Sequence, residues 1–361
     1  MTNVPPNKAF PIAHDNAPSD VYIQLQNHFE QEIQSIAPLR VASRPSSSVH
    51  HVRVQVARQE VDLWIKTLKG PSGIESWKAR QTLRDAAISE YFLASPHRDP
   101  RFRVPSVVMS IPETGTIVTR HEPGNRLQDS LKTIPLVPWR PVFVGDLEEA
   151  FFRAGEWLRH FQVITQDFRP SQHETQEPVP VKTLAFLLEQ AVMRLTEAQA
   201  QGTLDFSLAD MKHLEKGASN LQVVAKSDRP NSIIHGDFYP GNLLSAKDSM
   251  TGLDLSSNGF GSPLLDVGYF VFQTETFFAR RAFRSSLHKT LVREFLQGYG
   301  APSSSDESWR HAPEFKAIRF ALIASRILGF SGRGDANPLR QLERRKHARK
   351  LIQEAKNLVQ A

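Results

Sequence analysis

The sequence predicts an α+β protein of two lobes, a small β-rich N-terminal lobe and a larger, mostly helical C-terminal lobe. Three observations predict it. Segments of strand character crowd into the first 120 residues around one helical stretch, long helical periods dominate the rest of the chain, and 361 residues suffice for two domains or one two-lobed unit. With 40% hydrophobic and 23% charged residues the chain is globular, which excludes collagen-like, coiled-coil and wholly disordered classes. The absence of cysteine excludes disulfides, thiolate metal sites and a cysteine nucleophile.

Residues 1–20, rich in Pro, Asn and Asp, read as a mobile leader without the apolar stretch of a signal peptide. The N-terminal lobe is expected over 21–120 and the C-terminal lobe over 121–361. Apolar residues from Val21 to Ile36 suggest a short helix. Arg44–His51 reads as a loop, and Val52–Val56 and Val61–Leu68 as a hairpin turning at Ala57–Glu60. Glu75–Leu93 has the helical period, and Val107–Met109 and Thr116–Val118 read as two further strands. After a turn at Glu122–Gly124, helices are expected over Asp146–Thr165, Val181–Ala200, Thr290–Tyr299, Pro313–Leu328 and Leu339–Val359. Short apolar strands and turns fill Ser232–Val271. No run of 18 apolar residues occurs, so a cytoplasmic protein without a transmembrane helix is expected.

The chemistry concentrates in Ile233-Ile-His-Gly-Asp-Phe-Tyr-Pro-Gly-Asn-Leu-Leu244, followed by Gly252-Leu-Asp-Leu255. Two acids and an amide stand at the ends of short buried strands. Phosphoryl transfer needs such a set: one carboxylate to meet the acceptor's hydroxyl proton, and a second carboxylate with an amide oxygen to hold Mg²⁺. The Asp237–Asn242 spacing is that of a kinase catalytic loop.

His235-Gly-Asp-Phe-Tyr-Pro-Gly-Asn242, Leu253-Asp-Leu255 and Gly261-Ser-Pro-Leu-Leu-Asp-Val-Gly268 occur in order within 34 residues. The combination resembles the aminoglycoside phosphotransferase / choline kinase family, small-molecule kinases with the protein-kinase-like fold. The resemblance implies that Asp237 is the catalytic base and that Asn242 and Asp254 hold Mg²⁺. It implies that His235 supports the loop and that Asp266 braces the segment after the metal site. Lys66, in Leu63-Trp-Ile-Lys66, resembles the strand lysine that holds nucleotide phosphates, with Glu90 as its helix partner. Ser47 and Ser48 fall in the loop expected to cup phosphate, and Thr119 and His121 in the hinge expected to meet the base of ATP, with GTP as the alternative.

The Ser46–His51 segment has no glycine, Ser256 and Ser257 stand after Asp254, and Ser262 follows Gly261. The glycine-free loop keeps a second reading open, an inactive kinase-like scaffold or nucleotide-binding protein. From Thr276 onward there are 17 Lys and Arg against 7 Asp and Glu, although the whole chain is only +6. The basic run Arg340–Lys350 lacks interleaved aromatics, which argues against nucleic acid. It suits an anionic or sugar-like hydroxyl acceptor better than a polycation. The oligomeric state is not legible.

Overall fold

The computed structural model describes residues 19–29, 33–57, 59–70, 73, 76–135, 145–168, 181–201, 207–225, 232–255, 258–279, 284–300, 312–331 and 338–360. In chain order the elements are α1 (Ser19–Phe29), β1 (Ile33–Ser43), β2 (Ser47–Val56), β3 (Gln59–Leu68), α2 (Trp77–Ala94), β4 (Phe102–Arg103), β5 (Val107–Ile111), β6 (Thr116–Arg120), β7 (Asn125–Arg126), α3 (Leu127–Lys132), α4 (Gly145–Thr165), β8 (Val181–Lys182), α5 (Leu184–Ala200), α6 (Leu208–Ala225), β9 (Ser232–Ile234), β10 (Leu243–Ser245), β11 (Met250–Gly252), β12 (Gly259–Gly261), α7 (Leu264–Phe278), α8 (Ser285–Tyr299), α9 (Pro313–Ser331) and α10 (Pro338–Gln360). They fall into two compact units, divided at Glu90/Tyr91 and Glu122/Pro123, with residues 91–104 belonging to the second. No helix among the described residues is long and apolar enough to cross a membrane. Most of the expected leader lies outside the described residues, as do Ser256 and Ser257.

The first unit is an antiparallel five-stranded sheet in the order β1-β2-β3-β6-β5. Strand alternation sends Val52, Val54, Val56, Leu63, Ile65 and Val118 to one face, where Val21 and Leu25 of α1 complete the core. The opposite face carries Lys66 opposite Val49 and Ile117, and Trp64 opposite His51 and Thr119. Two expectations are corrected here. The helix foreseen to Ile36 ends at Phe29, and Ile33 and Ile36 lie in β1. That strand is mostly exposed and contains Pro38, which the open edge of a sheet tolerates, so it lacks the apolar alternation that would betray it. The Arg44–His51 loop is also shorter than foreseen. Only Arg44–Ser46 turns, and β2 begins at Ser47. The Lys69 ammonium staples this turn, donating to Ser43 Oγ at 2.8 Å and to the Arg44 carbonyl at 2.7 Å.

The second unit holds the small sheets β4-β11-β10-β7 and β8-β12-β9 among helices. Two further expectations change. Val181–Lys182 is a strand beside β12, so the helix begins at Leu184, where Thr183 Oγ1 caps it by accepting from the Phe186 amide at 3.0 Å. The Ser232–Val271 region ends in a helix, because α7 starts at Leu264. The α6 helix was not foreseen. It joins α5, α9 and α10 in a core that includes Leu188, Leu214, Phe320 and Ile327. The α4 and α8 backbones touch where two glycines meet. A Cβ on Gly155 would lie 2.0 Å from the Phe295 carbonyl oxygen, and one on Gly298 would lie 1.9 Å from that of Phe152.

This crossing yields a stability prediction. Gly298→Ala must push two backbones apart and should cost about 1–3 kcal/mol or more in urea unfolding. Gly329→Ala, in α9 with nothing within 4 Å of its added carbon, should be neutral or stabilising by up to about 1 kcal/mol. Equal effects at the two sites would refute the close-approach reading.

Candidate active site

The three residues of β9 are fully buried and deliver His235-Gly236-Asp237 to the end of the strand. A single carboxylate then shapes the turn. Asp266, in the first turn of α7 and itself buried, accepts the His235 amide at 2.7 Å on one oxygen and the Gly236 amide at 2.8 Å on the other. Directly after these two amides Gly236 adopts φ +80°, which favours glycine and turns the chain toward Asp237. Gln162 of α4 donates to the Pro263 carbonyl at 3.0 Å and, at 3.5 Å, to Asp266, while the Tyr299 hydroxyl donates to Gln162 Oε1 at 2.8 Å. No local pattern in the sequence points to Gln162 or Tyr299.

Phe238 drives into the core beside Asp237, stacked on Trp157 at 5.5 Å and near Phe270 at 5.3 Å. Its burial leaves Asp237 and Tyr239, on either side, half-buried. A tight turn at Pro240–Asn242 comes next, in which the Asn242 amide nitrogen donates to Asp237 Oδ2 at 2.9 Å and to the Asp237 carbonyl at 3.0 Å. Hairpin β10–β11 then folds back, and the Leu253 amide donates to the Asn242 carbonyl at 2.8 Å. That bond places Asp254, held at φ +62°, at the same end of the hairpin as Asn242. His235 Nε2 meets the Leu253 carbonyl at 2.9 Å, tying the loop to this end. Gly252 is required here, since a Cβ would strike the Trp157 ring at 2.1 Å. Asp237, Asn242, Asp254, His235 and Asp266 thus form one constellation.

Burial raises the Asp266 carboxyl to about 6, against the pull of the Gly236 and His235 amides and the Lys182 ammonium. Burial also lowers His235 to about 4, opposed mainly by the Asp254 charge. The Tyr269 phenol is raised by burial and by the Asp237 carboxylate, to which it donates its proton. Tyr269 is a residue that sequence reasoning misses, although it stands one helical turn after Asp266 in α7. A cavity of about 510 Å³ lined by Tyr91, His97, Val163 and Asp167 includes none of these residues.

The remaining candidates lie in the first unit. Lys66 is half-buried on the sheet face away from α1. On the same face His51 stacks on Trp64 at 4.4 Å and on His121 at 5.0 Å, and Trp64 Nε1 donates to His121 Nδ1 at 3.0 Å. Thr119 lies opposite Trp64. Ser47 and Ser48 are strand residues, opposite Leu68 and Thr67 of β3. Glu90 is exposed on α2, whereas Asp85 of the same helix is buried.

A sequence model of the APH phosphotransferase enzyme family matches residues 93–312. The chain belongs to this family. It is a small-molecule kinase with the protein-kinase-like fold, as the catalytic-loop resemblance implied. No curated protein matches it by sequence. Among solved structures it is similar to APH(2'')-IIa in a ternary complex with streptomycin and ATP, at 14% identity and a TM-score of 0.56 over 96% of this chain and 99% of that one. Amicoumacin kinase in complex with AMP-PNP, Ca²⁺ and amicoumacin is 11% identical, with a TM-score of 0.57 over 94% of each chain. A choline/ethanolamine kinase family protein from Mesorhizobium loti is 14% identical, with a TM-score of 0.51 over 90% of this chain and 88% of that one. These likenesses extend the shared fold over nearly the whole chain.

The buried pair gives a pH prediction. Unfolded histidine titrates at 6.5 and native His235 near 4, so as the pH falls through that window the unfolded chain alone takes up the proton. His235 therefore removes up to about 3 kcal/mol of stability between pH 6.5 and 4. Asp266 acts with the opposite sign, because the native state takes up its proton from about pH 6 downward, ahead of an unfolded carboxyl at 3.8. In urea unfolding across a pH series, His235→Gln should flatten the acid loss of stability and Asp266→Asn should steepen it. Parallel slopes in all three proteins would contradict both assignments.

Proposed function

We propose that this kinase transfers the γ-phosphoryl group of ATP to a hydroxyl of a small molecule, with Asp237 as base and Asn242 and Asp254 as ligands of Mg²⁺. The observation that carries the reading is the hydrogen bond between the Asp237 carboxylate and the Asn242 amide, at the hairpin end that also bears Asp254. The acceptor oxygen forms a bond to the γ-phosphorus, the bond from that phosphorus to the β,γ-bridging oxygen breaks, ADP leaves, and the acceptor proton passes to Asp237. Positioning supplies most of the rate in such reactions, because the transferring group needs little covalent help.

The donor set fits the cation. Asn242 commits its amide nitrogen to Asp237, so its oxygen is the atom left for a metal, and Asp254 adds a carboxylate. Mg²⁺ binds through one or two such oxygens together with nucleotide phosphates, and no cluster of three His, Asp or Glu metal ligands occurs among the described residues. When bound, Mg²⁺ neutralises charge on the phosphate oxygens. The ATP, AMP-PNP and Ca²⁺ in the similar structures support a nucleotide with a divalent ion.

In the first unit, Lys66 would hold nucleotide phosphates, the Arg44–Ser46 turn with Ser47 and Ser48 would approach them, and Thr119 and His121 would meet the base. The burial of Asp85 and the exposure of Glu90 favour Asp85 as the helix acid that steadies Lys66. GTP remains the alternative nucleotide.

Two measurements test this. Thermal-shift titration should show stabilisation by ATP that requires Mg²⁺ and is lost in Asp254→Ala. Asp237→Asn should retain that shift while ATP-dependent phosphorylation falls by about 10²–10⁴-fold. Absence of any shift at millimolar nucleotide, or full activity in Asp237→Asn, would defeat the reading. By the same assay, Asp85→Asn should weaken ATP binding several-fold and Glu90→Gln should not; the reverse order would restore Glu90 as the partner.

A further inference from the structure

The Asp237 carboxylate is gripped from a second side. Tyr269 of α7 donates its phenol proton to Asp237 and accepts a hydrogen bond from Gln273, one turn further along the helix. The Tyr239 ring, two residues beyond Asp237 in the loop, meets the Tyr269 ring edge to face, with centroids 6.4 Å apart at 83°. Gly241 underlies this arrangement. A Cβ there would strike the Tyr239 ring at 2.4 Å and Gln128 Oε1 of α3 at 2.8 Å, so the ring and the amide converge on the turn. Around the base stand two tyrosines and two glutamines, all half-buried.

These side chains carry no formal charge, and the acids of α7 are committed elsewhere. Asp266 is buried and holds the loop amides. Glu275 is ion-paired with Arg319, which also binds Glu354. The Asp237 carboxylate acts on the Tyr269 phenol. The basic run noted in the sequence belongs to α10, whose Arg345, Lys346, Arg349 and Lys350 are exposed, and α10 packs on α6 and α9.

We propose that Tyr239, Tyr269, Gln128 and Gln273 form the acceptor subsite, and that the acceptor is an uncharged, hydroxyl-rich ring compound of the sugar or cyclitol type. The proposal rests on the reading of Asp237 as the base. Two rings at right angles offer a flat apolar wall and an edge to a sugar ring, and amides and phenols exchange hydrogen bonds with hydroxyls without imposing a charge. A polycationic acceptor would find no spare carboxylate on α7, and an anionic one would face Asp237 without a compensating cation among the residues named. The Tyr269 phenol already presents a hydroxyl to Asp237, the same chemical contact that the acceptor must make. Tyr269 is thus a positioning residue that holds the base in place until an acceptor hydroxyl meets it.

The experiment is an ADP-release assay on the full chain at saturating Mg²⁺–ATP, with neutral monosaccharides and cyclitols, sugar phosphates and aminoglycosides as acceptors. The expected result is the highest kcat/KM for a neutral member. Preference for aminoglycosides or sugar phosphates would overturn the proposal, and so would failure of every neutral compound to raise ADP release above the rate with water. Gln273→Glu should move the ratio of kcat/KM for an amine-bearing sugar over its neutral counterpart upward by at least 10-fold, and an unchanged ratio counts against the subsite. Tyr269→Phe should raise the acceptor KM or lower kcat several-fold with the KM for ATP unchanged, whereas a merely structural role would alter all three together. Mg²⁺-dependent ATP binding, read by thermal shift, separates the two levels. If it persists while the neutral acceptors fail, the subsite proposal falls alone; if it is absent, the kinase reading falls first.

Discussion

The loop from His235 to Asn242 depends on one buried carboxylate. Asp266 accepts two consecutive backbone amides, from His235 and Gly236, in a place that water does not reach. Without it the buried His235 amide would be left unsatisfied, at a cost of about 1–3 kcal/mol, and the half-buried Gly236 amide would lose its partner. The carboxylate sets the direction in which β9 releases the chain, and therefore where Asp237 stands. Burial alone disfavours the charged form, and the amides, Lys182 and Gln162 oppose that tendency. Gln162 and Tyr299 link the arrangement to α4 and α8, the two helices whose backbones meet at Gly155 and Gly298. The precision of the loop thus draws on a helix crossing that only glycine permits.

Aromatic packing supplies the other half of the support. Trp157, Phe161, Phe238, Phe270 and Phe295 form a continuous buried stack beneath the loop, with Phe270 and Phe295 only 4.0 Å apart. Phe238 belongs to both the loop and the stack, so Asp237 is anchored by its neighbour in sequence and not by a flexible tether. The Trp157 indole donates to the Arg103 carbonyl at 2.9 Å, which ties the same stack to β4 and thereby to the sheet that carries Asn242 and Asp254. Rigid elements thus hold each polar group of the site, as a reaction driven by positioning requires.

The first unit obeys a different logic. Its sheet buries one face under α1 and leaves Lys66 on the other, in a row with Val49 and Ile117 and next to the stack of His51, Trp64 and His121. Strand alternation alone decides which side chains share a face with the lysine. The turn before β2 is short and glycine-free, and Lys69 fastens it through its ammonium donors.

Much of this was legible in the sequence. The order of strands and helices comes from hydrophobic period, and the residue types and spacings from His235 to Gly268 carried the family and the kinase fold through their resemblance to the family's motifs. Elements whose signal lies in their surroundings were not legible. The edge strand β1 is exposed along most of its length, the strand Val181–Lys182 pairs with β12, far away in sequence, and α7 hides behind a glycine and a proline that suggest a turn. Side-chain partnerships between distant segments were equally silent. Nothing local marks Gln162 as the support of Asp266 or Tyr269 as a donor to Asp237, nor shows that Asp85 is buried while Glu90 is exposed. Residue type and spacing along the chain were enough for the chemical groups and the family, since both are properties of the unfolded string of residues. Which groups meet, and what charge surrounds them, was settled only on folding, because burial and hydrogen bonding are properties of the packed chain.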